Sequence, residues 1–286
     1  MIRISGGDVV MTIDFRVQLP RPTRAKTRPD FMKQYTKIFD LDSVSYTVDS
    51  LLEGLKKAGI TKAVMQSEWT AGDYRADNDA VAKLVREYPN LFVGFGAVDM
   101  ADGLKAADEV KRCYEELGLK GINIQPFASG IHINDKKSYL IYKQCHDYSI
   151  PITIHTGINY SSTKRMELGR PIYVDEVACD FPDLTVVLNH GGWPWVGESV
   201  AMARKYPNVY IEFGGISPKY IAKPGAGWEM LLTLADNLLR EKILFATDSM
   251  LPFERAVTEA EALPLKPESI EAIMHKNAES ILSKLK

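Results

Sequence analysis

The stretch LTVVLNHGG, residues 184–192, is an apolar run that ends in polar residues and glycines. Nearly continuous apolar runs of this length are typical of parallel strands that are covered on both faces. Seven more β-rich runs recur along the chain, at residues 11–19, 60–68, 91–99, 120–127, 150–157, 208–216 and 243–249. The sequence therefore predicts eight strands.

Amphipathic helical patterns separate the predicted strands. In VDSLLEGLKKAG, residues 48–59, the leucines fall on one stripe, and Gly59 is expected to end the helix. A proline after an aromatic residue stops the helix at three helix-to-strand joints, residues 88–90, 181–183 and 206–208. Strands that alternate with helices in this way predict a (β/α)8 TIM barrel, which belongs to the α/β class.

Residues 11–286 are predicted to form this barrel as a single domain. No linker rich in proline, glycine or serine divides them, and residues 1–10 are interpreted as an N-terminal extension because Met11 would serve equally well as a start. A doubly wound open sheet is the structural alternative. It usually carries a glycine-rich phosphate-binding turn after its first strand, and the sequence has none at that place.

The composition is that of an ordinary globular protein, with 45% hydrophobic and 25% charged residues and a net charge of −2. This balance gives no electrostatic footprint for nucleic acid or a membrane surface. No apolar stretch approaches the roughly 18 residues of a membrane span, and the N-terminus lacks a signal-peptide core. Three unclustered cysteines, Cys113, Cys145 and Cys179, favour reduced thiols. We therefore expect a cytoplasmic protein.

Polar residues end most of the predicted strands. In a TIM barrel the chemistry lies at these carboxyl ends, where His155, His190 and Asp248 end strands 5, 6 and 8. Burying such groups is costly unless they are paired or bind a ligand, which favours a site at one mouth of the barrel. The other polar strand ends are Glu68, Asp99, Gln125 and Glu212. Helix capping is the alternative interpretation for Glu68 and Asp99, and pairing with a neighbouring strand is the alternative for Glu212.

The first predicted strand carries three polar residues in MTIDFRVQLP, residues 11–20. Strict alternation along a strand places Asp14, Arg16 and Gln18 on one face. We therefore expect an acid, a guanidinium and an amide to form one wall of the site.

Several of these segments resemble a known family. They are PITIHTG (151–157), LNHGGWPWV (188–196), PNVYIEFGG (207–215), ILFATDS (243–249) and HKNAESIL (275–282). The resemblance is to the amidohydrolase superfamily, in its amidohydrolase-2 branch of barrel hydrolases and decarboxylases that includes aminocarboxymuconate-semialdehyde decarboxylase. By position it implies that His155 is a metal ligand, that Asp248 is a ligand or proton-transfer group, and that His190 is the acid/base or electrostatic residue beside the metal.

The same resemblance reveals a departure in the first strand. The family's strand reads Asp-X-His-X-His, with both histidines ligating metal, whereas the sequence here is Asp14-Phe15-Arg16-Val17-Gln18. A catalytic zinc needs about three protein ligands, and Arg16 cannot ligate because its guanidinium stays protonated. We expect either no metal or one divalent metal, zinc if one is bound, held by His155 and Asp248. In the metal-free case Arg16 pairs with Asp248 or with substrate.

The loops after strands 1 and 5 carry an excess of basic side chains. They are Arg21, Arg24, Lys26 and Arg28 in the first loop and Lys164, Arg165 and Arg170 in the second. This excess indicates a small carboxylate substrate, and a solvated loop face is the alternative. The residues predicted to bind the substrate are Arg16, Gln18, Gln125 and Arg165. Those predicted to catalyse the reaction are His190 and Asp248.

The sequence leaves the reaction open. A hydrolase would use water activated by His190 or Asp248, whereas a carbon–carbon lyase of the decarboxylase type would protonate the carbon that loses carbon dioxide. A different class is a catalytically retired barrel that binds a ligand or a partner subunit. Barrels of the resembled branch often pair, so a homo-oligomer, in the simplest case a dimer, is expected.

Overall fold

Eight strands form one sheet in chain order in the computed structural model, which describes residues 11–20, 29–39, 46–69 and 73–285. Their bounds are β1 (Ile13–Gln18), β2 (Lys62–Gln66), β3 (Phe92–Ala97), β4 (Ile122–Ile124), β5 (Ile152–Ile154), β6 (Val186–Leu188), β7 (Val209–Glu212) and β8 (Ile243–Leu244). The predicted extension, residues 1–10, and the basic residues Arg21, Arg24, Lys26 and Arg28 lie outside the described residues.

Each strand pairs in parallel with the next, from β1 with β2 to β7 with β8. The first and last strands also meet. Phe15 N–H donates to Phe245 O over 2.9 Å, and Asp248 N–H donates to Arg16 O over 2.8 Å. The predicted single-domain (β/α)8 TIM barrel is thus confirmed, and the carboxyl ends of its strands share one mouth.

Helices follow the strands on the outside of the barrel. The α-helices in the described ranges are α1 (Lys33–Ile38), α2 (Val48–Lys57), α3 (Tyr74–Glu87), α4 (Gly103–Glu115), α5 (Pro126–Ser129), α6 (Tyr139–Asp147), α7 (Val174–Asp180), α8 (Val196–Lys205), α9 (Pro218–Ile221), α10 (Glu229–Ala235), α11 (Phe253–Glu261), α12 (Pro267–Glu271) and α13 (Asn277–Leu282). Short 3-10 turns cover Asp30–Met32, Lys136–Ser138, Met166–Gly169, Pro171–Tyr173 and Asn189–Gly192, and a π-turn covers Ala272–Lys276. Helices α3, α7 and α8 end just before the three proline joints, as predicted.

Helix α2 illustrates how local sequence fixes an element. Thr47 Oγ1 accepts from Ser50 N–H over 3.1 Å and Ser50 Oγ accepts from Thr47 N–H over 2.9 Å, which together form a capping box. Leu51 and Leu55 are buried on the side of the helix that faces the barrel. Apolar burial of this stripe is what holds an outer helix on the sheet.

Strand β1 departs from strict alternation, with a register irregularity between Asp14 and Val17. Phe15 packs in the apolar cluster inside the barrel, yet the next residue, Arg16, also reaches the site at the mouth. Asp14 instead accepts hydrogen bonds from Thr247, in the segment that follows β8. The prediction that Asp14 shares one face with the other two polar residues is wrong, because a bulge adds a residue and shifts the alternation.

The lower part of the barrel is filled and closed by side chains. This cluster contains Ile13, Phe15, Val64, Phe95, Val187, Leu244, Ala278 and Ile281. Helix α13 therefore helps to close the end of the barrel opposite the mouth. A packed lower half leaves room for chemistry only at the upper mouth. Among the helices of the described residues, none combines the length and apolarity that crossing a membrane requires.

Candidate active site

A pocket opens at the carboxyl ends of the strands, and the space between its atoms together with the open solvent above it amounts to about 590 Å³. Its floor is polar and contains the predicted site residues Arg16, Gln18, Gln125, His155, His190 and Asp248. Its wall is largely aromatic or apolar and includes Tyr35, Phe39, Phe127, Tyr160, Met32 and Met250. A polar floor under an apolar wall is the usual arrangement of a site for a small organic molecule.

Arg16 lies in the floor and is 1% exposed. Its Nε donates to Asp248 Oδ1 over 2.7 Å, Nη1 donates to Gln66 Oε1 over 2.6 Å, and Nη2 donates to Glu68 Oε1 over 3.2 Å. With the Asn189 amide turned so that its oxygen faces the guanidinium, that oxygen accepts from Nη1 over 2.8 Å. Every guanidinium nitrogen therefore has a protein partner, and Arg16 is a fixed cation between two carboxylates.

Asp248 is the main partner of this cation. Its Oδ1 also accepts from Gln18 Nε2 over 3.0 Å. Burial on its own raises the pKa of Asp248, but the charges of Arg16 and His190 and the bond from Gln18 outweigh it and hold that pKa below its ordinary value. Asp248 is therefore a carboxylate at neutral pH.

His190 is oriented by two neighbouring groups. Its Nδ1 lies 2.6 Å from Gly214 O, and because a carbonyl oxygen only accepts, Nδ1 carries a proton. In the neutral ring Nε2 is then the basic nitrogen. The backbone N–H of His190 donates to Glu212 Oε1 over 3.2 Å, and Glu212 also accepts from Gly214 N–H. Glu212 thus holds the segment that carries His190.

Left-handed backbone occurs at two of the candidate catalytic residues. The φ angle is 59° at His190, 54° at Asp248 and 52° at Ser249. In the described ranges Ser149 is the one other non-glycine residue with positive φ. Such conformations cost free energy, are held by their surroundings and cluster at functional sites. At Asp248 the holding contact is its N–H donating to Arg16 O over 2.8 Å.

His155 packs between two rings. Its ring centroid lies 4.6 Å from that of His190 and 4.6 Å from that of Phe127. Burial, together with the positive charges of His190 and Arg16, lowers the pKa of His155 well below its ordinary value. His155 is therefore neutral, and its buried Nδ1 has no hydrogen-bond partner in the described structure.

Two predicted residues lie away from the pocket. The side chain of Arg165 is 69% exposed and lies 3.5 Å from Glu167 Oε1, a position that does not support a contact with substrate. Asp99 Oδ1 accepts from Ala101 N–H over 3.0 Å in a local turn, and the residue that caps α4 is Asp102. Asn159 and the aromatic wall were missed because they lie on loops or on short helices such as α1 and α5, where little periodicity marks a buried side chain.

The pocket and its residues can be compared with known proteins. The family model described as amidohydrolase matches residues 13–284. The chain belongs to this amidohydrolase family. The resemblance inferred from the sequence motifs is confirmed by the match, and so is the prediction of an amidohydrolase-like enzyme.

Relatives match most of this amidohydrolase. The 2-amino-3-carboxymuconate-6-semialdehyde decarboxylase of Dictyostelium discoideum is 28% identical over 256 residues, which are 76% of this chain and 70% of the relative. An uncharacterized TIM-barrel protein of Bordetella bronchiseptica matches with a TM-score of 0.80 at 28% identity, over 96% of this chain and 98% of that one. A dihydroxybenzoic acid decarboxylase of Polaromonas sp. JS666, solved with manganese and 2-nitroresorcinol, shares the fold with a TM-score of 0.69 at 17% identity, over 96% of each chain.

The manganese of that relative raises the question whether the residues of this amidohydrolase fit a metal. They do not. Asp248 Oδ1 already accepts from Arg16 and Gln18, and a dication on this carboxylate would be repelled by the guanidinium a few ångströms away. Among the residues that the structure describes, no three His, Cys, Asp or Glu side chains group to hold a metal. The predicted ligands, His155 and Asp248, supply two of the about three protein ligands that a catalytic zinc needs.

Behind the floor, Asp14 ties β1 to the segment after β8. Its Oδ1 accepts from the N–H groups of Arg16 and Thr247 over 3.0 Å each, and its Oδ2 accepts from Thr247 Oγ1 over 2.6 Å. Burial raises the pKa of Asp14 to about 7, against the lowering effect of these hydrogen bonds. Between its ordinary pKa and about pH 7, Asp14 is therefore protonated in the folded protein and ionised in the unfolded chain.

The substitution Asp14→Asn is expected to gain stability relative to wild type as pH rises. The unfolded chain loses the Asp14 proton near the ordinary value of about 3.9, whereas the folded protein keeps it up to about 7. Wild-type stability therefore falls across this window, by about 1.4 kcal/mol per pKa unit at most, and no further above it. Urea denaturation between about pH 4 and pH 8 measures the difference. If the difference in unfolding free energy between Asp14→Asn and wild type does not change with pH, the raised pKa of Asp14 is contradicted.

The pocket-lining Gly215 gives a second prediction. It has a φ of 77°, and an added Cβ would lie 3.4 Å from Asp248 Oδ2 and 3.5 Å from His190 Nδ1. We expect Gly215→Ala to lower turnover at least tenfold, roughly the effect of a small misplacement of reacting groups. Gly225→Ala is the matched control, because Gly225 has a φ of 79° but open space around it. Equal losses of turnover in the two variants would mean that backbone strain alone is responsible.

Proposed function

We propose that this amidohydrolase is a carbon–carbon lyase of the decarboxylase type that acts on a small carboxylate without a divalent metal. The observation that carries the proposal is the buried Arg16–Asp248 pair in the pocket floor. Arg16 stands in the sequence at a position where the resembled family has a metal-ligating histidine. The family match and the decarboxylases among the relatives support the reaction class. The aromatic wall supports a substrate with a flat, unsaturated body.

Decarboxylation breaks the bond between a carbon and its carboxylate, and the electron pair stays on that carbon while carbon dioxide leaves. An acid then delivers a proton to the carbon. We assign this acid to His190 in its protonated form, acting through Nε2 because Nδ1 is bonded to Gly214 O. Asp248 stabilises the imidazolium, and water afterwards returns the proton to the ring. The fixed charge of Arg16 orders the floor by orienting Asp248.

Hydrolysis is the second reaction that the same residues would serve. The supporting observation is the tautomer of His190, whose basic Nε2 in the neutral ring would take a proton from an attacking water. Cleavage of an ester, lactone or amide would then follow instead of carbon dioxide release.

The test is release of carbon dioxide from 2,6-dihydroxybenzoate and a panel of small unsaturated carboxylates, before and after treatment with a chelator. We expect turnover that survives chelation and that added manganese or zinc does not raise. Turnover that requires an added metal would overturn the metal-free proposal. Saturable binding with no release of carbon dioxide would overturn the lyase and favour a hydrolase or the retired, ligand-binding barrel.

The state of assembly and the location of the protein stay predictions. We propose a homo-dimer in the cytoplasm, as inferred from the sequence. Light scattering after gel filtration measures the mass in solution, and a monomer over the accessible concentration range would contradict the dimer.

A further inference from the structure

Two arginines predicted to bind the substrate, Arg16 and Arg165, are already engaged by protein groups or lie outside the pocket. Each guanidinium nitrogen of Arg16 donates to a protein oxygen, and two of the partners are the carboxylates of Asp248 and Glu68. Arg165 is exposed outside the pocket beside Glu167. Among the described residues, neither of these two arginines therefore offers a free donor to a small carboxylate in the pocket.

Asn159 offers such a donor. It lines the pocket and is 9% exposed. Its Oδ1 accepts from Ser161 N–H over 3.1 Å, and because a backbone N–H only donates, this contact fixes which side-chain atom is oxygen and which is nitrogen. The remaining atom, Nδ2, is buried and has no hydrogen-bond partner in the described structure. A buried amide without an acceptor costs free energy that a ligand oxygen would recover.

The segment around Asn159 is held in place on both sides. The preceding Ile158 N–H donates to Trp193 O over 2.7 Å. The following Tyr160 packs edge-to-face on Phe39, with ring centroids 5.0 Å apart, and its centroid lies 6.3 Å from that of Tyr35. A donor on a fixed segment loses little conformational entropy when a ligand binds.

We propose that Asn159 Nδ2 donates a hydrogen bond to an oxygen of the substrate and makes the pocket selective for ligands that carry an acceptor there. The proposal rests on the proposed function only in placing a small carboxylate in this pocket. Sites built around a buried polar group reject analogues that cannot pair with it. Asn159 is thus a specificity-determining residue rather than a participant in the proton transfer.

The test compares the binding of benzoate and benzamide by isothermal titration to wild type and to Asn159→Asp. The aspartate keeps the acceptor for Ser161 N–H but replaces the donor by a charged acceptor. We expect the affinity for benzoate to fall by about 10- to 100-fold or more, the effect of losing a charge-assisted hydrogen bond. Benzamide, which offers its own N–H groups to the aspartate, should keep its affinity to within about threefold. Asn90→Asp, which adds the same charge at an exposed position, is the control and should change neither affinity.

Equal loss of both ligands, unchanged affinity for benzoate, or no saturable binding of benzoate to wild type would each overturn the proposal. A purely structural role for Asn159 would weaken both ligands together. If Asn159→Asp does not fold, Asn159→Ser is titrated in the same way. The shorter serine side chain keeps an acceptor oxygen but has no amide nitrogen that could contact the ligand, so benzoate affinity should fall. Because binding is measured without turnover, absence of carbon dioxide release would overturn the proposed lyase and leave this inference standing.

Discussion

Replacing Arg16 with methionine is expected to destabilise the protein by about 3–5 kcal/mol at neutral pH, because it leaves buried carboxylates without their compensating charge. The oxygens of Asp248 and Glu68 lie 2.7 and 3.2 Å from the guanidinium nitrogens. The guanidinium is also the leading charge that lowers the pKa of Asp248. In the variant that pKa rises, so the destabilisation should shrink as pH falls and Asp248 is protonated.

Urea denaturation of Arg16→Met at neutral and acidic pH measures this effect. Arg165→Met is the matched control, because it removes the same side chain from an exposed pair with Glu167 and should change stability by no more than about 0.5 kcal/mol. Similar losses in the two variants would show that the Arg16 pairs do not organise the floor. If Arg16→Met does not fold, Arg16→Lys is measured instead. Lysine keeps the positive charge but lacks the several N–H donors of the guanidinium, so it is expected to destabilise the protein less than methionine does.

Substitution of His190 by asparagine is expected to lower turnover by about 10²- to 10⁴-fold, the usual worth of a positioned acid or base. Asparagine tolerates the left-handed backbone that His190 adopts, with a φ of 59°, so the fold and the pocket should be kept. Ligand affinity is therefore expected to change by less than tenfold.

The measurement pairs carbon dioxide release with ligand titration on the same protein. His146→Asn serves as the control, because His146 lies on α6 with 40% of its side chain exposed and next to Asp147. Parallel losses of turnover and of binding would make His190 a binding residue and contradict its role as the acid. Full turnover in His190→Asn would remove it from the mechanism.

The fold was predictable from the sequence because burial on both faces of a parallel sheet leaves a mark that is local along the chain. Each apolar run became a strand, and the prolines at residues 88–90, 181–183 and 206–208 marked where helices end. The grouping of His155, His190 and Asp248 at one mouth followed from the same pattern, since equivalent strand ends meet in a barrel.

What the sequence concealed depends on contacts between distant segments. The bulge in β1 removed Asp14 from the expected face, and alternation alone carries no sign of it. The partners of Arg16 come from the ends of β2 and β8 and from Asn189 after β6, so its lack of free donors is visible only in three dimensions. Loop residues behave likewise: Arg165 and Asn159 lie six positions apart, yet one is at the surface and the other lines the pocket.

Metal content tests most directly the claim that a fixed guanidinium replaces the metal. The protein is purified without a metal-binding affinity tag and assayed by inductively coupled plasma mass spectrometry, before and after chelation. The double variant Arg16→His/Gln18→His, which introduces the His-X-His that the family resemblance implies, is measured alongside and is expected to take up more metal. For wild type we predict metal well below one equivalent and a Tm unchanged by added divalent ions. Near one equivalent of zinc, manganese or iron in wild type would contradict the claim and make His155 and Asp248 part of a rebuilt ligand set.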